Sequence, residues 1–213
     1  MTKPNNGHSE DKYKQMKKVH KTKELILEVS SGLFSEFGFE GTSIRNIAKK
    51  VGVRESAIYN HFESKQSIFL ELMNNLKPES ISKEILTDEL IDQLNRPEKF
   101  LVNFAQNIYR FWQSRNERLF IKLLLKEQPI EIGGIQFSVK NYVEEYIKII
   151  ALIFNELMKH KFIKRGNSGI YANLFFAPIF LLRITNLEAQ NQNDIYSSIK
   201  EHVKYFWETI QPK

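Results

Sequence analysis

The chain has 213 residues, 42% apolar and 26% charged, with a formal net charge of +6 and a pI near 9.3. That balance is globular, one or two domains in size, and it contains no cysteine, which excludes disulfides, thiolate catalysis and Cys-ligated zinc. The positive charge suits a polyanionic partner and is uneven, with twelve Lys and Arg against eight Asp and Glu from Met1 to Gln66 and nineteen against seventeen thereafter.

In chain order, residues 1–18 form a polar stretch carrying Lys3, Lys12, Lys14, Lys17 and Lys18, with little to bury. A basic, flexible N-terminal arm is expected there. The first part of the chain lacks the apolar run of a signal peptide, which predicts a cytoplasmic protein. From Val19 to Phe37 the residues Leu25, Val29, Leu33 and Phe37 recur every fourth position, predicting a helix that stops at Gly38.

Two short helices follow between Thr42 and Phe62. Ile44, Ile47, Ala48 and Val51 put one apolar side on the first, which Thr42 or Ser43 can cap. Gly52 supplies the positive φ of a sharp turn, and Val53 is placed to plug the corner. In the second helix Ile58 and Phe62 face inward, leaving Arg54, Glu55, Ser56, Tyr59 and Asn60 outward. This is the helix-turn-helix pattern, in which the second helix is offered to a DNA major groove. A fourth helix, with Ser64 as its cap and Ile68, Phe69, Leu72 and Met73 on one side, runs to about Leu76.

The run ILEVSSGLFSEFGFEGTSIRNIAKKVGVRESAIYNHFESKQSIF, from Ile26 to Phe69, resembles the TetR family of bacterial transcriptional regulators over about a fifth of the chain. The resemblance implies a helix-turn-helix DNA-binding head with a linking helix (residues 19–76) and an effector-binding and dimerisation body (residues 77–213). It also implies phosphate contacts at Lys65 and His61, and a homodimer held by a four-helix bundle of the two C-terminal helices from each subunit. The chain departs from the family where Arg54 replaces the usual Ser opening the recognition helix, where Ser56 replaces Gly or Ala, and where Val29 and Ser30 replace two alanines. Arg54 cannot cap.

The DNA contacts divide by role. Thr42 or Ser43, Tyr59, His61 and Lys65 are expected on phosphates, whereas Arg45, Glu55, Ser56 and Asn60, with Arg54 beside them, are expected to face base edges. Arg45 suits guanine, Asn60 adenine and Glu55 the cytosine amino group.

Beyond the Lys77-Pro78 break, helical periodicity covers about 80–95, 97–114, 116–127, 137–161, 168–187 and 194–210, with a loop at Pro129, Gly133 and Gly134 and no sustained strand alternation. The whole is expected to be all-α, a helical bundle following the helix-turn-helix head. Ile170 to Leu182 is the longest apolar run; Asn173 and Pro178 break it, and it falls short of the ~20 residues of a membrane span. Polar groups within aromatic stripes are the pocket candidates: Asn103, Gln106 and Arg110 with Phe104 and Trp112, then Tyr142 and Tyr146, and Asn173 and Arg183 with Phe176. A buried Arg183 would want an anion, hence an apolar ligand with an acidic end. Ile199, Val203, Phe206, Trp207 and Ile210 are the candidate dimer surface of the last helix.

HExxH, GxSxG, GxxxxGK and GxGxxG are all missing, and the five His share no ligand spacing. The expectation is therefore no enzyme, no metal and no cofactor. The reading is a ligand-responsive repressor that binds a palindromic double-stranded operator as a homodimer, with no membrane partner. The alternative is a helix-turn-helix adaptor or nucleoid-associated protein whose body binds another protein.

Overall fold

Helix α1 (Gly7–Phe37) begins twelve residues before the expected start at Val19, so the stretch expected to be flexible is helical from Gly7 onward. The structure is a computed structural model that describes residues 7–74, 84–126, 130–187 and 192–212. Three shorter helices complete the head: α2 (Ile44–Val51), α3 (Glu55–Tyr59) and α4 (Lys65–Asn74). α1 packs on α2 and α4, and α2 on α3. Their shared core is built from Ile26, Phe34, Ile47, Ile58, Phe62, Ile68 and Phe69; of the four residues whose spacing predicts α1, Leu33 is buried and Val29 half-buried, while Leu25 and Phe37 are exposed. Ser30, standing in place of a smaller residue, is fully buried there, and its hydroxyl has no partner.

The body comprises α5 (Asp88–Ile91), α6 (Pro97–Trp112), α7 (Arg115–Lys126), a two-stranded hairpin, α8 (Val139–Lys159), α9 (Ser168–Thr185) and α10 (Asn193–Ile210). Within the helix expected over 80–95, residues 84–85 are helical and are followed by a separate turn, α5, capped by the Thr87 side chain on the amide of Leu90; residues 80–83 lie outside the described residues. The Lys77-Pro78 boundary lies outside the described residues. α8 packs on α9, α10 lies against α6 and α9, and α7 reaches back to α1, tying body to head.

The loop expected around Gly133 and Gly134 is an antiparallel hairpin, β1 (Ile130–Ile132) with β2 (Ile135–Phe137), in register Ile130 to Phe137 and Ile132 to Ile135. Both glycines have positive φ, 59° and 76°, as the tight turn that matches strand twist requires. Strands of three residues are too short to show an alternation in sequence.

α9 is long and apolar enough, by length and composition, to cross a membrane. In this fold its Ala172, Phe175, Phe176, Ile179 and Arg183 pack inside the subunit, while Ile170, Leu174 and Leu181 stay exposed.

Candidate nucleic-acid interface

The reading pair is set by three local devices. Ser43 caps α2, its hydroxyl accepting from the Asn46 amide at 3.1 Å, which contributes about 1 kcal/mol to a helix of eight residues. Gly52 ends α2 at φ 81° and ψ 30°, and the amides of Gly52 and Val53 both close on the Ala48 carbonyl at 2.9 and 3.0 Å. Only a residue without a Cβ takes that conformation freely, so the corner is fixed by one glycine. Ile58 and Phe62 then anchor α3 from below.

What this leaves outward is a continuous polar face. Arg45, Arg54, Glu55, Ser56, Tyr59 and Asn60 are exposed and His61 is half-buried. Arg54 occupies the N-cap position of α3 with extended backbone and makes no side-chain cap, while its carbonyl accepts from the Ala57 amide at 2.9 Å.

Two expected contacts change role. Thr42 is buried, and its hydroxyl donates to the Gly38 carbonyl at 2.8 Å, so it braces the turn between α1 and α2 and does not reach a phosphate. Ser43 keeps the exposed position. The Lys65 ammonium donates to the Phe39 carbonyl at 2.7 Å, sits 4.1 Å from the centre of the Phe39 ring and has Glu40 at 4.0 Å. Lys65 therefore locks the start of α4 onto the same turn. An ammonium has three donors, so a phosphate contact from this fixed position stays open to it.

Three comparisons bear on this geometry. Residues 26–72, the segment that builds the reading pair and its braces, match the sequence profile of bacterial regulatory proteins, tetR family. The chain is 29% identical over 142 residues to IcaR of Staphylococcus aureus, the negative transcriptional regulator of the biofilm operon icaADBC; the match covers 63% of this chain and 70% of that protein.

The chain is thus similar to the tetR family over residues 26–72. It is a DNA-binding transcriptional regulator with the all-α architecture of that family. Solved structures agree on the fold. NalD of Pseudomonas aeruginosa, the secondary repressor of the MexAB-OprM multidrug efflux pump, superposes with a TM-score of 0.63 at 21% identity, covering 92% of this chain and 99% of that one. TylP of Streptomyces fradiae does so with 0.62 at 16%, covering 91% and 88%.

Among the described residues, those expected to line a pocket in the body are not brought together in one, and Arg110 lines a separate opening of about 540 Å³ with Glu84, Asn107 and Phe111. Phe104, Trp112, Tyr142, Tyr146 and Phe176 are buried and packed ring against ring, with Trp112 and Tyr146 each within 5.7 Å of Phe176. The cavity beside Phe104 and Tyr146 is about 10 Å³, too small for any organic molecule. Asn103 donates to Gln93, Arg110 is exposed and bonded to Asn107, Asn173 is exposed and bonded to the Gly169 carbonyl, and Gln106 is half-buried on α6. The anion that a buried Arg183 needs is internal. Its guanidinium donates to Glu117 Oε2 at 2.7 Å, to the Glu117 carbonyl at 3.0 Å and to the Tyr142 hydroxyl at 2.5 Å, and it lies 4.6 Å over the Trp112 ring.

Glu117 was missed in the sequence, although it occupies the apolar stripe of α7 with Phe120, Ile121 and Leu124, where a carboxylate needs a reason. Burial pushes its carboxyl above the ordinary glutamate range, opposed by Arg183 and by the Tyr142 hydroxyl, which donates to it at 2.8 Å. A polar chain completes the centre of the body. The Trp112 indole N–H donates to the Tyr146 hydroxyl at 2.8 Å, and that oxygen lies 3.1 Å from Tyr142.

The expected dimer residues also need correction. Ile199, Val203, Phe206 and Ile210 are 0–5% exposed within one subunit, because they face α6 and α9 and Phe206 packs on Phe154 and Phe175. They cannot also face a partner. Trp207 is half-buried, and the apolar surface left on the last two helices is Ile170, Leu174, Leu181 and Tyr205, the last 72% exposed.

Proposed function

We propose that this regulator is a homodimeric cytoplasmic repressor that occupies a palindromic operator and leaves it when a small apolar or amphipathic molecule binds. The observation that carries the reading is the outward row on α2 and α3: Arg45, Arg54, Glu55, Ser56, Tyr59 and Asn60 stand exposed on a corner fixed by Gly52, while the inward residues are sealed in core. In this assignment Ser43, Tyr59, His61 and Lys65 hold phosphates, and Arg45, Glu55, Ser56 and Asn60 read bases with Arg54 at their edge. Residues 19–76 act as the reader and 77–213 as the sensing and dimerising unit. Repression is supported by the likeness to IcaR, which is described as a negative regulator. Dimerisation is supported by the exposed Ile170, Leu174, Leu181 and Tyr205, too much apolar surface on two adjacent helices for a free face.

A two-fold pair of such subunits would place recognition helices in successive major grooves about 34 to 36 Å apart. The test is nuclease footprinting on the promoter next to the gene. Two-fold symmetric protection over adjacent major grooves is expected, with transcription from that promoter rising when the gene is removed. Absence of any protected site on that promoter and across genomic fragments would overturn the reading.

A further inference from the structure

A second opening lies where the head meets the body. α1 and α4 belong to the reader, α7 to the body, and between them is a cleft of about 380 Å³. Its floor is apolar, made by Leu27, Phe34, Leu72, Met73, Phe120 and Leu123. Its rim is polar, with Glu24, Glu28 and Ser31 from α1 facing Arg115 and Asn116 from α7. That volume and layout, an apolar base with a few polar groups at the mouth, fit a small amphipathic molecule.

The charges at the rim decide its class. Two carboxylates face one guanidinium, and the guanidinium is already engaged, because Arg115 donates to Glu28 across the mouth of the cleft. Among the described residues Glu24 pairs with His20, 3.3 Å away on the same helix. The nearby Lys23 is held by Glu71 of α4 at 2.7 Å. An anionic head would meet Glu24 and Glu28, whereas a cationic head would gain both and compete with Arg115 for Glu28.

We propose that this cleft is the effector site and that its ligand is an amphipathic monocation whose tail fills the apolar floor while its head displaces Arg115 from Glu28. The proposal rests on the repressor reading for its consequence, since parting α7 from α1 would shift the reader against the body, but the site itself does not depend on DNA. A ligand here exerts control only to the extent that it binds the parted state better.

The probes are octyltrimethylammonium, octanoate and tetramethylammonium, titrated calorimetrically into the full-length protein at low ionic strength, where exposed charges are least screened. Saturable binding of one octyltrimethylammonium per subunit is expected, with octanoate and tetramethylammonium each much weaker. Opposite effects of charge are the sharper check: Arg115→Gln removes the competitor and should tighten the cation by about three- to ten-fold, whereas Glu24→Gln with Glu28→Gln should weaken it by about ten-fold or more. All three positions are exposed, and circular dichroism checks that their variants are folded. Octanoate binding as tightly as the cation, or Arg115→Gln failing to tighten it, overturns the proposal. Because the isotherm contains no DNA, that failure leaves the repressor reading intact, and a cation that binds as expected in a protein with no operator would separate the two the other way.

Discussion

Phe137, at the end of the hairpin, meets Phe69 of α4 edge to face, with ring centres 5.5 Å apart and planes at 76°. Phe69 in turn touches Phe39 and Phe34, so a body residue closes the aromatic cluster of the DNA-reading head. Lys126, at the end of α7, adds a second tie by donating to the Glu36 carbonyl at 2.5 Å. The hairpin and the end of α7 are thus the body's grip on the reader.

Replacing Phe137 with Ala removes a half-buried ring and an aromatic pair, and should cost about 2 kcal/mol of stability. Urea unfolding measures the loss. Hydrogen exchange locates it: amides of α4 should exchange faster along with those of the hairpin, and acceleration confined to the hairpin would show that the contact does not brace the head.

Glu117 and Arg183 form an ion pair with side chains 0% and 2% exposed. Glu117→Gln leaves a buried guanidinium without its counter-charge and is expected to destabilise by about 3 to 5 kcal/mol, while Glu117→Leu combined with Arg183→Met should cost far less than the two singles together. Denaturant titration of the four proteins closes the cycle. The raised carboxyl also sets a sign with pH: the folded state holds the Glu117 proton more tightly than the unfolded chain, so this group's contribution falls as pH rises through the ordinary carboxyl range, near 4.3, toward its higher folded value. The Gln variant should lack that component.

His202 Nε2 lies 3.0 Å from the Phe175 carbonyl, where a neutral ring donates, and burial holds its pKa below the ordinary histidine value. The unfolded chain therefore takes the proton first. Stability contributed here is complete above about pH 6.5 and is lost as pH falls from that value through the lower folded one. His202→Gln keeps a donor without a titration in this range. Midpoints of unfolding measured at fixed protein concentration between about pH 7.5 and 5 should slope less in the variant; equal slopes would remove His202 from the pH dependence.

Leu174→Glu with Tyr205→Glu places charge on the exposed apolar face of α9 and α10 while leaving Phe206 and the subunit core intact. Sedimentation should show a folded monomer at micromolar concentration. A persistent dimer would move the interface elsewhere.

The head was legible because its determinants are local. Gly52, Ser43 and the spacing of Ile44, Ile47 and Val51 specify the corner within one dozen residues, and Ser64 caps α4 by accepting from the Ser67 amide at 3.1 Å. Thr42 was misassigned because its partner, the Gly38 carbonyl, is one that no side-chain pattern reveals, and the bond from Lys65 to the Phe39 carbonyl was hidden for the same reason. In the body the decisive relations are long-range. Arg183 finds Glu117 across 66 residues, so one buried charge looked like a ligand contact when it is half of an internal pair. The last helix carries apolar residues on two sides, and sequence periodicity does not say which side meets its own subunit. Ile199, Val203, Phe206 and Ile210 turn inward, and Tyr205 turns out.

Reading of a specific operator is tested most directly by selecting bound duplexes from a random-sequence library with the wild type and with Arg45→Ala. An inverted repeat should emerge with the wild type, and the same repeat relaxed at one position of each half-site with the variant, a loss of about 1 to 3 kcal/mol in discrimination there. Tyr59→Ala should instead weaken all sites alike and lower the salt dependence by about 0.9 in log-log slope. No enriched sequence from the wild type, or an identical repeat with unchanged preference from Arg45→Ala, would contradict the assignment of α2 and α3 as the operator-reading surface.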